Sequence, residues 1–177
     1  MNKNIVVLSG SARKNGNSEK LIASFKEGAE SVGKNVTVFR VADMAIGGCV
    51  GCEYCIDNEG KCSLKDDMTI ILDALSKTDV IVWASPIYYF SFTAQLKAVI
   101  DRMYPLINDK PKQTALLLVC ADDDIDTAAG ALAIYHRTIK YYNWSSVGIV
   151  IATEVEHLGD IDGKPVLEEA RQLGVSS

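Results

Sequence analysis

The segment NIVVLSGSARKNGNS, residues 4–18, joins an apolar run to a polar turn that leads into a helical pattern. The run at residues 4–9 is β-rich and shows no polar alternation at its centre, which is typical of a strand buried on both faces. Beyond the turn, apolar side chains recur at helical spacing at Leu21, Ile22, Phe25 and Ala29. A buried strand followed directly by a helix predicts the first unit of a parallel α/β sheet.

The same alternation continues along the chain. Four more strands are predicted, at residues 36–41, 79–85, 114–120 and 146–152. Helical patterns lie near residues 68–75, 96–103, 127–142 and 165–173. This order predicts a doubly wound α/β fold with helices on both faces of a five-stranded parallel sheet, in the strand order 2-1-3-4-5. Residues 1–177 are expected to form a single domain, with a cysteine-rich loop at residues 47–66.

Composition excludes several classes of function. The 177 residues carry 18 basic and 23 acidic side chains, a net charge of −5, without a basic cluster. Nucleic acid is therefore not an expected partner, because phosphate backbones are bound by Lys and Arg patches. The apolar runs are too short for a signal peptide or a membrane span. We expect a cytoplasmic protein whose thiols stay reduced.

A sheet of this order binds ligands beyond the carboxyl ends of strands 1 and 3, so the loops at residues 9–18 and 85–92 should converge. The first loop, SGSARKNGNS, matches neither a Walker A motif nor a dinucleotide fingerprint. Its hydroxyl and amide side chains, with Arg13, suit a single terminal phosphate at a helix N-terminus, which Asn17 or Ser18 is expected to cap. The alternative is a polar turn that only caps the helix.

Aromatic side chains follow the third strand in the segment SPIYYFSF, residues 85–92. Pro86 fixes the turn, and Tyr88, Tyr89, Phe90 and Phe92 come after it. Ordinary packing would explain them, but opposite a phosphate-binding loop they suit the wall of a flat aromatic ligand. A phosphate at one end and a stacking group at the other describe flavin mononucleotide, FMN.

The segment GGCVGCEYCIDNEGKC, residues 47–62, holds four of the five cysteines, with the spacing C-x2-C-x2-C-x6-C. In a reducing compartment a structural disulfide framework is improbable, which leaves metal binding or redox chemistry. The C-x2-C-x2-C run is common among ligands of cubane iron–sulfur clusters, whereas structural zinc more often uses two separated C-x2-C pairs. An iron–sulfur cluster is favoured, and unligated thiols remain the main alternative. Cys120, at the end of a buried strand, is expected to be a core residue.

Three segments taken together resemble the flavodoxin-like NADPH-dependent FMN reductase superfamily, and most closely its iron–sulfur flavoprotein branch. They are GSARKNGNS, SPIYYFSFTAQLKAVIDR and CVGCEYC…GKC…DDM. A fourth segment, near the C-terminus, resembles the same branch and reads HLGDIDGKPVLEEARQLG. The resemblance implies a flavodoxin-like fold with FMN as cofactor. The residues that it assigns to the FMN phosphate are Ser9, Ser11, Arg13, Asn17 and Ser18. Those that it assigns to the ribityl chain and the ring are Pro86, Ile87, Tyr88, Tyr89 and Phe90. The ligands that it implies for a [4Fe–4S] cluster are Cys49, Cys52, Cys55 and Cys62.

Two functions follow as hypotheses, and an α/β scaffold that binds no flavin is the third reading. In the first, the protein is an FMN-dependent oxidoreductase that relays electrons between FMN and the cluster, or reduces small acceptors such as quinones or flavins with NAD(P)H. In the second, it is a non-catalytic electron carrier like flavodoxin. The resemblance further implies a homodimer or homotetramer, and a ferredoxin-type electron donor is compatible with the iron–sulfur branch. The sequence does not distinguish between the donors.

Overall fold

Five parallel strands form the central sheet of the computed structural model, which describes residues 3–177. Their bounds are Asn4–Ser9 (β1), Asn35–Arg40 (β2), Val80–Pro86 (β3), Gln113–Val119 (β4) and Ser145–Ala152 (β5). The strand order is β2-β1-β3-β4-β5, and every neighbouring pair is parallel. The predicted strand order and fold class are confirmed, and the strand bounds differ from the predicted ones by one residue at most.

Within residues 3–177, six α-helices connect or follow the strands. Their bounds are Asn17–Ser31 (α1), Tyr54–Asp57 (α2), Met68–Lys77 (α3), Ala94–Asp101 (α4), Ala129–Tyr141 (α5) and Val166–Ser176 (α6). The helix predicted over residues 127–142 begins later, at Ala129, because residues 125–128 form a tighter 3-10 turn. In that turn, the Asp124 carboxylate accepts a hydrogen bond from the Asp126 amide.

The strand side chains divide between two apolar layers, one on each face of the sheet. In β1, Val6 and Leu8 face the layer built with α3, α4 and α5, whereas Ile5 and Val7 face the layer built with α1 and α6. All four of these side chains are buried. Burial on both faces explains why the strand sequence is continuously apolar instead of alternating.

Helices α1 and α6 cross at very short range through two glycines. A Cβ atom on Gly28 would overlap the Arg171 carbonyl oxygen, and one on Gly174 would overlap the Phe25 carbonyl oxygen. Each glycine therefore makes room for the backbone of the opposite helix. The crossing closes one of the two apolar layers over its face of the sheet.

The cysteine-rich segment at residues 47–66 is mostly irregular and includes only the four-residue helix α2. It follows β2 and ends immediately before α3, and Cys62 within it packs against the apolar core. Gly51 lies in the left-handed region with φ of +64°, which favours glycine at this bend. In the part of the chain that the structure describes, no helix combines the length and apolarity that a bilayer crossing requires.

Candidate functional site

The loops that follow β1 and β3 lie against each other at the carboxyl edge of the sheet. The Gly10 amide donates to the Ala84 carbonyl oxygen at 2.8 Å, and the Thr93 hydroxyl donates to the Gly10 carbonyl oxygen at 2.9 Å. A Cβ atom on Gly10 would stand 2.5 Å from Thr93 Oγ1, so only glycine permits this approach. The two loops therefore converge where a flavodoxin-like sheet binds its ligand.

Between these loops is a cavity of about 140 Å³, which we call the inner cavity. Its walls come from the first loop, the third-strand loop and the segments that follow β4 and β5. The lining residues are Ser11, Arg13, Gly16, Asn17, Ser18, Pro86, Ile87, Tyr88, Val119, Cys120, Ala121, Val155 and Glu156. Seven of the ten residues assigned to FMN from the sequence thus line one cavity. Ser9 is not among them: its side chain is buried, and within the described residues its hydroxyl has no hydrogen-bond partner.

Helix α1 begins at the inner cavity without a side-chain cap. The N-cap residue is Gly16, and Asn17 and Ser18 are the first two helical residues, so the expectation that either would cap the helix is wrong. Because Gly16 offers no side-chain oxygen, the first amide groups of α1 are left for another acceptor. Free amides and the positive end of the helix dipole favour an anion here.

The side chain of Asn17 holds a distant loop instead. Its amide nitrogen donates to the carbonyl oxygens of His157 at 2.9 Å and Val155 at 3.4 Å, and its Oδ1 accepts from the Gly159 amide at 3.2 Å. These bonds use both amide hydrogens and the carbonyl oxygen. Asn17 therefore offers its backbone amide to the inner cavity, while its side chain shapes the wall formed by residues 155–159.

Arg13 is exposed at the rim of the inner cavity. Its Nη1 donates to the Glu156 carbonyl oxygen at 3.1 Å, and the Ser11 hydroxyl donates to the Arg13 carbonyl oxygen at 3.4 Å. One hydrogen bond to a carbonyl leaves most of the five guanidinium donors for a ligand. The positive charge of Arg13 and the α1 amides therefore face the same small volume.

A wider and more open cavity of about 520 Å³, the outer cavity, continues from the inner one. Both cavities are lined by Ile87, Cys120, Ala121 and Glu156. The outer cavity adds the aromatic side chains of Tyr89 and Phe90, together with Asp122 and Thr127. A narrow polar end thus leads into a broad end with an aromatic wall.

A tight turn presents these aromatic side chains. Tyr88 and Ser91 exchange backbone hydrogen bonds of 3.0 and 3.1 Å, and Tyr89 and Phe90 between them have φ values of +48° and +63°. Bulky residues rarely adopt positive φ, and the two in succession form a type I′ turn that normally carries Asn and Gly. Gly130 of α5 lies beneath the turn, where a Cβ atom would overlap the Phe90 carbonyl oxygen. The turn leaves Tyr89 97% exposed.

The four clustered cysteines line a separate cavity of about 430 Å³, the cysteine cavity. Its lining combines Cys49, Cys52, Cys55 and Cys62 with four residues at and after the end of α4, which are Asp101, Arg102, Tyr104 and Pro105. Within residues 3–177, no three Cys, His, Asp or Glu side chains converge closely enough to hold a single metal ion. All four clustered cysteines nevertheless line this one cavity.

The thiols influence one another and their polar neighbours. Burial raises the pKa of Cys55, and the charges of Cys62, Cys49 and Cys52 raise it further. The hydrogen bond with Ser63, whose oxygen lies 3.2 Å from Cys52 Sγ, lowers the pKa of Cys52. The other three thiols are therefore close enough to Cys55 to affect its ionisation.

Some residues of the site were not identified from the sequence. Cys120 is buried, as predicted for a core residue, but it also lines both the inner and the outer cavity. Glu156 lines both cavities from the loop after β5. Both residues follow the carboxyl end of a strand in the sequence. Because ligands bind along that edge of the sheet, these positions could have indicated that both residues belong to the site.

The fold and the inner cavity define a flavodoxin-like class of protein, and comparisons with known proteins identify the family. Residues 3–124 match the model of the family described as NADPH-dependent FMN reductase. The chain belongs to this family and is an FMN-dependent oxidoreductase.

Similar proteins from archaea support this assignment. An iron-sulfur flavoprotein of Archaeoglobus fulgidus is 31% identical over 170 residues, which cover 93% of this chain and 74% of that protein. An iron-sulfur flavoprotein of Methanosarcina thermophila is 28% identical over 174 residues, covering 93% of this chain and 85% of that protein. The solved structure of an NAD(P)H:quinone oxidoreductase from Methanothermobacter marburgensis superposes with a TM-score of 0.78 at 18% identity, covering 99% of this chain and 96% of that one, and shows the shared fold.

Proposed function

We propose that the protein is a single-domain flavoenzyme that relays electrons between FMN and a [4Fe–4S] cluster held by its cysteine loop. The observation that carries the proposal is the presence of two separate sites. The inner and outer cavities together suit a phosphorylated aromatic ligand, and the cysteine cavity is lined by all four clustered thiols. FMN would supply the chemistry, since flavins exchange electrons singly or in pairs while an iron–sulfur cluster exchanges one at a time.

The donor groups of the inner and outer cavities fit FMN from end to end. The first amides of α1, the hydroxyls of Ser11 and Ser18 and the guanidinium of Arg13 would bind the phosphate. Pro86, Ile87 and Tyr88 would line the ribityl chain, and Tyr89 and Phe90 would form the wall of the ring. Asn17 would contribute its backbone amide and would keep the 155–159 loop in position through its side chain.

The cysteine cavity fits a multi-iron cluster better than a zinc ion. Structural zinc more often uses two separated C-x2-C pairs, whereas this segment has the continuous run C-x2-C-x2-C. Four thiols around a common volume match the ligand set of a cubane, in which each iron takes one cysteine. Because such ligation requires reduced thiols, the proposal assigns the protein to the cytoplasm.

The two proposed cofactors would lie at different ends of α4. Thr93 caps this helix beside the phosphate loop, and Arg102, just after its last residue, contacts Cys62. Nine helical steps separate these residues by about 13.5 Å. Among the described residues the cysteine cavity shares no lining residue with the inner or outer cavity.

We therefore propose a homodimer or homotetramer, in which a second copy covers the exposed aromatic turn at Tyr89 and Phe90 and shortens the path between cofactors. Apolar side chains this exposed are common at interfaces between subunits. Sedimentation of the FMN-loaded protein at micromolar concentration should show a species larger than a monomer. A monomer under these conditions would contradict the proposal.

Electron donors and acceptors can be assigned by steady-state assays under anaerobic conditions. NADH, NADPH and a reduced ferredoxin would be compared as donors, with quinones, free flavins and dyes as acceptors. Turnover with a pyridine nucleotide would support a reductase, and turnover with ferredoxin alone would support a relay from a protein partner. Reduction of bound FMN without turnover of any acceptor would support a carrier like flavodoxin and contradict the proposed enzyme.

The Arg13→Ala substitution should weaken FMN binding by about 1.5–3 kcal/mol, the contribution of a hydrogen bond to a charged group. Riboflavin lacks the phosphate, so its affinity should change little. Titration of the FMN-free protein with each ligand, followed by flavin fluorescence, measures both affinities. Equal losses for both would mean that Arg13 acts through the Glu156 carbonyl contact or through folding.

The Gly130→Ala substitution should weaken FMN and riboflavin binding equally, by about 1 kcal/mol, because it moves the aromatic wall that both rings share. The new methyl group would displace the Phe90 carbonyl and the turn built on it. The same titration with the two ligands tests this expectation and contrasts it with Arg13→Ala. Unchanged affinity for both ligands would show that the turn does not support the ring.

A further inference from the structure

Arg102 is a buried cation at the base of the cysteine cavity. It follows α4 and is 2% exposed. Its Nη1 donates to the Gly47 carbonyl oxygen at 3.1 Å and to the Asp66 carboxylate, and its Nη2 donates to Cys62 Sγ at 3.3 Å. One guanidinium thus contacts the first residue, the last residue and a thiol of the 47–66 loop.

The partners of Arg102 also bind each other. Asp66 Oδ2 accepts from the Gly47 amide at 3.0 Å, and Asp66 Oδ1 accepts from the Met68 amide at 3.2 Å. The neighbouring Asp67 carboxylate accepts from the Ala45 amide at 2.7 Å. These contacts bring the two ends of the loop together, and Arg102 lies on the side of this junction that faces the thiols.

Burying a guanidinium costs free energy unless partners compensate the charge. Asp66 neutralises the charge of the guanidinium, and the Gly47 carbonyl oxygen accepts from a second N–H group. These two contacts would be enough if Arg102 only anchored the loop. Within the described residues, Nε has no partner, while Nη2 points at a sulfur. The guanidinium therefore bonds a thiol while another of its buried donors has no partner among the described residues.

We propose that Arg102 is a positioning residue for the cluster: it fixes the cysteine loop before metal binds, and its N–H···S bond to Cys62 makes the bound cluster easier to reduce. This inference rests on the proposed cluster. Hydrogen bonds to cluster sulfurs and nearby positive charge raise reduction potentials, because reduction adds one negative charge to the cluster. Asp66 offsets the charge of Arg102, so the effect on the added charge comes from the N–H···S bond, which solvent screens little because Arg102 is buried.

Arginine suits this role better than lysine. Its planar fork reaches the carbonyl, the carboxylate and the sulfur at fixed angles, whereas a lysine ammonium carries its charge at one point on a flexible stem. Arg102→Lys should therefore keep the charge but lose part of the loop anchor. Arg102→Gln should lose the charge and most of the anchor.

The test compares both variants with Arg137→Gln, a matched change of an exposed arginine on α5. In metal-free protein, limited proteolysis should cut the 47–66 loop of Arg102→Gln about tenfold faster or more, the factor associated with one hydrogen bond to a charged group. In reconstituted protein, titration monitored by electron paramagnetic resonance should give a more negative cluster potential for Arg102→Gln and a smaller shift for Arg102→Lys. Arg137→Gln should match the wild type in both measurements.

The outcomes separate this inference from the cluster proposal. If the wild-type protein takes up no iron, the cluster proposal fails, and the proteolysis of metal-free protein still tests the anchor. Equal cleavage rates in wild type and Arg102→Gln would overturn the anchor, and equal potentials would overturn the tuning of the cluster. If Arg102→Gln does not fold, as judged by circular dichroism, the cleavage rate and the cluster potential are compared between wild type and Arg102→Lys instead.

Discussion

Replacing any one of Cys49, Cys52, Cys55 and Cys62 by alanine should abolish the iron–sulfur signal while FMN stays bound. Anaerobically reconstituted wild-type protein should hold about four irons and four sulfides per chain. It should also absorb broadly in the visible range beneath the flavin bands, and dithionite should bleach that absorption. A missing thiolate leaves one iron of the cubane without its protein ligand.

FMN should remain bound in these variants because, among the described residues, the cysteine cavity and the flavin cavities have no lining residue in common. Cys120→Ala is the matched control: its thiol lies at the flavin cavities, so the iron content should equal that of the wild type. Iron and sulfide analysis together with flavin absorbance measures both cofactors. Reconstitution that yields no iron, or one zinc bound by the four thiols, would refute the cluster.

Gly28→Ala should lower the free energy of unfolding by about 3 kcal/mol, the upper part of the range for overpacked interiors. In an exposed helix the same change would stabilise the protein by about 1 kcal/mol through helix propensity. Here the methyl group would overlap the Arg171 backbone, which cannot rotate away as a side chain could, so α1 and α6 must separate. The steric effect should therefore exceed the propensity gain and reverse its sign.

Urea denaturation of FMN-free protein measures this change without the stabilisation that bound ligand adds. The expected loss corresponds to a fall in Tm of about 6–12 °C for a chain of this size. Gly48→Ala is the control, because a Cβ atom there meets nothing within 4 Å. A stabilised Gly28→Ala protein would mean that the two helices are farther apart than the structure has them.

The strands could be predicted from the sequence because both faces of the sheet are covered, which leaves a continuous apolar signal in segments such as residues 5–8. The order 2-1-3-4-5 followed from the number of strands and their alternation with helices. That order also indicated which two loops converge, and most residues assigned to FMN indeed line one cavity.

The contacts that shape the sites could not be predicted because they join residues far apart in the chain. Asn and Ser are common N-cap residues, so the local pattern favoured a cap at Asn17 or Ser18. The Asn17 side chain instead binds residues 155–159, which no local pattern near α1 indicates. Arg102 likewise follows an ordinary amphipathic helix, and its role depends on residues 36 to 55 positions earlier.

The length of α4 is constrained by what lies at its two ends. Thr93 bonds the Gly10 carbonyl at the first end, and Arg102 contacts Cys62 at the second. One residue inserted between them would advance Arg102 by about 1.5 Å and turn it by about 100° around the helix axis, away from the sulfur. The outer parts of the cysteine loop can absorb insertions and deletions, whereas α4 cannot. A related chain can therefore keep both contacts only if its equivalents of Thr93 and Arg102 stay nine positions apart.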